Sequence, residues 1–216
     1  MNDPFIVGLT GGLASGKSTA CAALKKLGAA VVDSDLIARE IVRPGRPAYL
    51  KIVNEFGSKI LDSKLKINRK LLAGIVFADP AKKILLEKIT HPAIITEIKN
   101  IIKKQKRGGL VVVEAPLLFE AGAESLFDKI VVVNSSRQQQ EKRAAGRDKL
   151  RPNEIKKRIN AQLPLRAKLS RADYIVENSG TLEELKKDVK KLYRGLTNEM
   201  KLKYNHGQQA KSRHLK

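Results

Sequence analysis

A chain of 216 residues suits one domain, or a core carrying insertions, and is long enough to bury a sizeable hydrophobic interior. Its formal charge of +21 attracts polyanions, polyphosphate substrates as well as nucleic acid, while aromatics at 4% put the core on Ile, Leu, Val and Ala and leave little for base stacking. With Cys21 the single cysteine an intrachain disulfide is excluded, and no segment reaches the ~18 uninterrupted apolar residues of a membrane span, so a cytoplasmic protein with no membrane partner is expected.

The first element is a short apolar run from Phe5 to Thr10, read as a strand. Gly11 follows, then four residues, then Gly16-Lys17-Ser18, and apolar residues at helical spacing come next (Ala20, Ala23, Leu24, Leu27). This is the phosphate-loop pattern in its proper strand–loop–helix setting. Gly11, Gly12 and Gly16 permit backbone conformations that turn successive N–H groups towards phosphate oxygens, and the new helix adds its positive end. Lys17 can reach the terminal phosphates, and the Ser18 hydroxyl is placed to ligate Mg²⁺. A nucleoside triphosphate is the implied ligand.

A second strand, residues 29–33, ends in Asp33, and a helix from Ser34 to Val42 stops at Pro44-Gly45. Residues 47–107 are helix-periodic with no strand of their own. Within them Asp79-Pro80 is a helix start, and His91-Pro92 is expected to kink or end the helix it meets. Residues 110–114, 130–134 and 174–176 read as buried strands. Residues 136–170 read as helical and carry Arg137, Arg143, Arg147, Arg151, Arg158 and Arg166. Thr181-Leu-Glu-Glu184 is a capping box opening a last helix, whose apolar stripe fades near residue 197 into a basic tail expected to fray. Five strands alternating with helices predict an α/β fold with a five-stranded, parallel, doubly wound sheet, ligands lying at the strand carboxyl ends.

Phosphoryl transfer to an alcohol needs a carboxylate near the acceptor oxygen. Asp35 is the candidate base, because it starts a helix at the end of the second strand. Asp33 either caps backbone or holds a metal-bound water. Glu114 ends the third strand and is a candidate for the metal shell, with structural hydrogen bonding as its alternative. Arg143 and Arg147, one helical turn apart, suit a lid that stabilises charge on the transferring group. His91 reads most simply as a helix histidine bonded to backbone.

Taken together these pieces resemble the dephospho-coenzyme A kinase family over residues 5 to about 195. The resemblance is carried by residues 8–19, by Asp33-Ser-Asp-Leu-Ile-Ala-Arg39, Asn68-Arg69, His91-Pro92 and Pro116-Leu-Leu-Phe-Glu120. It continues through Arg143, Arg147-Asp148, Gln162, Ala172-Asp173 and Asn178-Ser-Gly180. It implies a P-loop kinase core (residues 1–46, 108–135 and 171–200), a CoA-binding helical insertion (47–107), a helical lid (136–170) and a tail (201–216) expected to be disordered. It implies ATP and Mg²⁺ as cofactors and phosphorylation of the ribose 3′-hydroxyl of dephospho-CoA, the last step of coenzyme A synthesis. ATP contacts are implied for Gly12, Leu13, Ala14, Ser15, Gly16, Lys17, Ser18, Thr19, Arg147 and Asn178, with Asn178 to Gly180 near the adenine. Substrate contacts are implied for Asp35, Arg39, Arg69, His91, Pro116, Leu117 and Leu118, and metal contacts for Ser18 and Glu114. Nucleic acid is not an expected partner, and the oligomeric state is left open. Ala14 replaces the more usual glycine, an exchange expected to be tolerated at negative φ. Glu114 and Asn68 stand where aspartate is more usual.

Overall fold

The computed structural model of the chain describes residues 3–106, 108–148 and 151–213, and of these the side chains of all but 147, 148 and 206–213. The strands are β1 Phe5–Gly11, β2 Ala30–Asp33, β3 Leu110–Glu114, β4 Lys129–Asn134 and β5 Tyr174–Glu177. The helices are α1 Lys17–Lys26, α2 Ser34–Glu40, α3 Pro47–Phe56, α4 Arg69–Ala78, α5 Pro80–Lys103, α6 Arg137–Asp148, α7 Pro152–Asn160, α8 Leu165–Leu169 and α9 Leu182–Arg213.

The strands join in one sheet of order β2-β3-β1-β4-β5. The β1·β3, β1·β4 and β4·β5 ladders are parallel, with Leu9 level with Glu114 on one side and Val131 on the other. The carboxyl ends of β1, β3 and β4 therefore share one edge, where the loop after β1 emerges. Val111, Val112 and Val113 are all buried, which is why β3 is a continuous apolar run with no alternation. One face is covered by α1 and α9: Val7, Leu9, Val112, Val131 and Val133 pack with Ala20, Leu24, Leu185, Val189, Leu192 and Leu196. Each leucine sealed there contributes about 1.5–3 kcal/mol.

The last helix overruns its expected end near residue 197 and continues to Arg213. The apolar stripe does not fade where the sequence suggested, because Met200 and Tyr204 extend it onto the same core. Tyr204 also donates its hydroxyl to Asp3 O at 2.7 Å, and Lys203 pairs with Asp128 at 2.5 Å.

Contacts divide the chain into two compact units, Met1–Val32 with Ile102–Lys216, and Asp33–Ile101. The boundary lies at Asp33 where residue 47 was expected, so α2 belongs with the helical unit. Residues 136–170 belong with the sheet and form three helices, α6 to α8. The helical unit has its own small core of Ile52, Phe56, Ile60 and Leu72, against which Ile75, Leu85 and Ile89 pack. Three of its helices start on side-chain caps: α2 on Asp33, α4 on Asn68, whose Oδ1 accepts from Leu71 N at 3.1 Å, and α5 on Asp79, whose Oδ1 accepts from Ala81 N at 2.9 Å. The expected break at His91-Pro92 is not a helix end, since α5 runs 24 residues through Pro92. A proline inside a helix removes one ladder hydrogen bond and sets its ring against the carbonyl four residues back, a cost of about 3 kcal/mol that the packing of a long helix offsets. A lone antiparallel bridge, Leu61 with Ile67, is the one extended feature described in this unit. Among the described residues no helix is long and apolar enough to cross a membrane.

Candidate active site

The loop from Gly11 to Gly16 is shaped by positions a side chain could not occupy. Gly11 has φ +154°, and a Cβ there would come within 2.5 Å of Val133 O. Gly16 has φ +98° and caps α1, and a Cβ there would overlap Asn178 Nδ2. That amide donates to Ser15 O at 2.7 Å, so Asn178 at the end of β5 braces the loop from the far side of the sheet edge. Ala14 departs from expectation, with φ +50° where a negative value was assumed. A left-handed non-glycine residue costs roughly 1–2 kcal/mol. The offset is packing: Ala14 is buried in a small cluster with Ala144 and Ile155, and Leu13 and Ile159 pack against it.

Lys17 begins α1 and turns its ammonium back over the loop, donating to Gly12 O at 2.8 Å and Gly11 O at 3.3 Å. One residue later, Ser18 Oγ donates to Glu114 Oε1 at 2.9 Å. The two residues singled out for metal binding, distant in sequence, thus converge at the carboxyl end of β3. Thr19 lies in the same first turn of α1 and lines a cavity of about 660 Å³ with Ala14, Gly16, Arg143, Asn178 and Gly180.

Arg143 on α6 donates through Nη2 to Asn178 O at 2.9 Å, while its Nη1 is buried with no partner. Arg147 is in α6, but its side chain lies outside the described residues. Two glutamines carried no signal in the sequence. Gln140 is buried against Gly12 and donates to Ser135 O at 2.9 Å. Gln139 donates to Ser179 O at 2.6 Å and keeps a buried Oε1 without partner. Beyond Gly180, the Thr181 N–H holds the Glu184 carboxyl below its usual range, aided by the Thr181 hydroxyl.

The Pro116 carbonyl accepts from Thr10 Oγ1 at 3.2 Å and from Lys168 Nζ at 3.0 Å. Leu117 is exposed, but Leu118 is 1% exposed, so its expected ligand contact gives way to a place in the core.

In the helical unit, Asp33 Oδ1 accepts from Asp35 N at 2.8 Å and Leu36 N at 3.2 Å, realising the capping alternative for Asp33. Asp35 is exposed in the first turn of α2, with Arg39 in its last turn. Arg69 opens α4, where Asn68 does the capping an aspartate would do. His91 is half-buried within α5, beside Pro92, which lines a separate cavity of about 490 Å³ with Arg46, Lys51 and Lys88.

The first unit fits a nucleotide and its metal. The glycine-lined loop excludes a Cβ at Gly11 and Gly16, and buried donor and acceptor atoms on Arg143 and Gln139 lack protein partners. Ser18 and Glu114 supply hard oxygen donors, and no group of three or more His, Cys, Asp or Glu is assembled for a metal among the described residues. One carboxylate, one hydroxyl and the ligand's own phosphates is the way Mg²⁺ is usually held. Fold and loop together define a P-loop, nucleotide-binding α/β protein.

Comparison with known proteins narrows the class. The dephospho-CoA kinase family model matches residues 5–184. A dephospho-CoA kinase of Carboxydothermus hydrogenoformans is 43% identical over 85% of this chain and 90% of its own. The solved dephospho-CoA kinase from Campylobacter jejuni is similar with a TM-score of 0.66 and 32% identity, over 89% of this chain and 97% of that one. Thermus thermophilus TT1252 is similar with a TM-score of 0.79 and 30% identity, over 90% and 99%. This chain belongs to the dephospho-CoA kinase family.

Proposed function

We propose that the protein transfers the γ-phosphoryl group of ATP to the ribose 3′-hydroxyl of dephospho-CoA, yielding coenzyme A in the cytoplasm. Family membership carries the choice of acceptor. The convergence of Lys17, Ser18 and Glu114 on the loop supports the donor side.

In this reading the amides of Gly12 to Thr19, Leu13, Ala14 and Ser15 included, cradle the phosphates, and Lys17 exchanges the loop carbonyls for phosphate oxygens. Ser18 and Glu114 would hold Mg²⁺, which would supply positive charge to offset that of the phosphates. Asn178 and Gly180 edge the adenine site, whose lining Gln139 shares. Arg143 lends positive charge against the charge developing on the transferring group, and Arg147 assists. Asp35 draws the proton from the acceptor hydroxyl, while Asp33 fixes the helix that carries it. Arg39, Arg69, His91, Pro116 and Leu117 contact the acceptor, the helical unit is its binding part, and residues 136–170 act as the lid.

An acceptor assay tests this. With Mg²⁺ and ATP, ADP release should follow addition of dephospho-CoA, and mass spectrometry with phosphorus NMR should place one new phosphate on the 3′ oxygen. AMP and nucleosides should give no comparable turnover. ADP release driven by AMP, with dephospho-CoA left unmodified, would make the protein a kinase of nucleotides.

A further inference from the structure

Lys168 has no solvent exposure, and it belongs neither to the phosphate loop nor to the residues assigned to the reaction. Its Nζ donates to Glu120 Oε1 at 2.9 Å and to Pro116 O at 3.0 Å. A lysine buried this completely is expensive to desolvate, and an apolar side chain of similar volume often serves stability as well or better. What the ammonium provides is placement. The carbonyl it holds is also held by Thr10, the residue before Gly11 of the phosphate loop. The carboxylate oxygen it holds also accepts from Leu163 N at 2.8 Å, in the turn between α7 and α8. A continuous chain of hydrogen bonds thus runs from the stem of the phosphate loop, through the segment that follows Glu114, to the turn between two helices of the arginine-rich segment. A second cation fastens the same segment further on, since Arg171 pairs with Glu124 and stacks 4.5 Å from the centre of the Phe119 ring.

We propose that Lys168 is a positioning residue for phosphoryl transfer. It registers the α7–α8 turn against the strand end that carries Glu114, so that the segment proposed as the lid and the loop that grips phosphate respond to nucleotide together. The effect on turnover rests on the kinase reading; the coupling between loop and turn does not.

The test compares Lys168→Met with the parent by steady-state kinetics and by amide hydrogen exchange, with and without Mg²⁺ and adenylyl imidodiphosphate. In the parent, the analogue should slow exchange at residues 11–18 and at Leu163. In Lys168→Met, protection of residues 11–18 should persist, protection at Leu163 should vanish, and kcat should fall about tenfold with the KM for ATP changed less than about threefold. Thr10→Val breaks the same chain from its other end at nearly constant volume, and should abolish Leu163 protection too. It decides the matter if Lys168→Met does not fold. A merely structural lysine would lower the melting temperature while leaving the nucleotide response of Leu163 intact, and that result overturns the proposal whatever kcat does. So does a kcat within about twofold of the parent, or a parent whose Leu163 ignores the nucleotide. Should the parent fail to phosphorylate dephospho-CoA, the kinase reading falls, and the exchange comparison still rules on Lys168.

Discussion

Ser18 Oγ donates to Glu114 Oε1 at 2.9 Å, joining the start of α1 to the end of β3. Glu114→Asp should withdraw the carboxylate by about one C–C bond and raise the Mg²⁺ concentration for half-maximal turnover several-fold, at little loss of stability. Glu114→Ala should raise it by roughly tenfold or more. A magnesium titration of initial rate checks both, and an unchanged requirement in Glu114→Ala would leave the residue a purely structural partner of Ser18.

Gly16 sits against Asn178, at φ +98°, with no room for a methyl group. Gly16→Ala should therefore displace Asn178, disturb the loop at Ser15, and weaken binding of an ATP analogue by at least about tenfold, equivalent to ~1.4 kcal/mol. Asn178→Ala should weaken it less, because it removes a brace without imposing a clash. Calorimetric titration of the two variants gives the order directly; equal affinities for Gly16→Ala and the parent would mean the loop can rearrange freely.

Ala14 sets a strained backbone against a buried methyl group. Ala14→Gly relieves the left-handed conformation, worth about 1–2 kcal/mol, yet loses about 0.8 kcal/mol of burial and frees the unfolded chain by up to ~1 kcal/mol. The terms nearly cancel, so chemical denaturation should place the variant within about 1 kcal/mol of the parent. A loss of ~2 kcal/mol or more would show that the methyl contact with Ala144 and Ile155 matters more than its area implies.

Asp35→Asn should remove most turnover while sparing ATP affinity, whereas Lys17→Ala should impair both. Product formation per site and binding of the analogue, measured on the same preparations, separate the two. Near-normal kcat in Asp35→Asn would move the base elsewhere.

The Thr181–Glu184 cap carries a pH dependence of definite sign. Hydrogen bonds from Thr181 hold the Glu184 carboxyl below its unfolded value. Its contribution is then fully present above the ordinary carboxylate range and is lost as pH falls through the lowered value. The parent should melt higher than Glu184→Ala at neutral pH, and the gap should close in acid. A gap independent of pH would assign the effect to helix propensity instead.

Much of this was legible because local rules and tertiary structure agreed. The apolar runs of β1, β3 and β4 were visible because a strand covered on both faces has no polar alternation to disguise it. The phosphate loop, the caps at Asp79 and Thr181 and the convergence of Ser18 with Glu114 follow from spacing and strand ends. Lys168 was invisible for the opposite reason. A lysine between Ala167 and Leu169 reads as a solvated helix residue, and only the tertiary approach of Pro116 and Glu120 buries it. Gln139 and Gln140 are the same case, as is Pro92, whose local tendency to stop a helix is overridden along α5. The end of α9 is hidden in the sequence because Met200 and Tyr204 sit among lysines that mask the apolar period.

The order in which the ribosome releases this chain gives the two units different histories. Residues 33–101 are contiguous, so every contact inside the helical unit is available once that stretch has emerged. The sheet unit is split around it, and β1, made before the helical unit, waits for β3, β4 and then α9 before its flanks are sealed. Nascent chains arrested midway should carry a protease-resistant helical block beside an N-terminal strand that is still cut, a hazard that grows with the time spent waiting for the last helix.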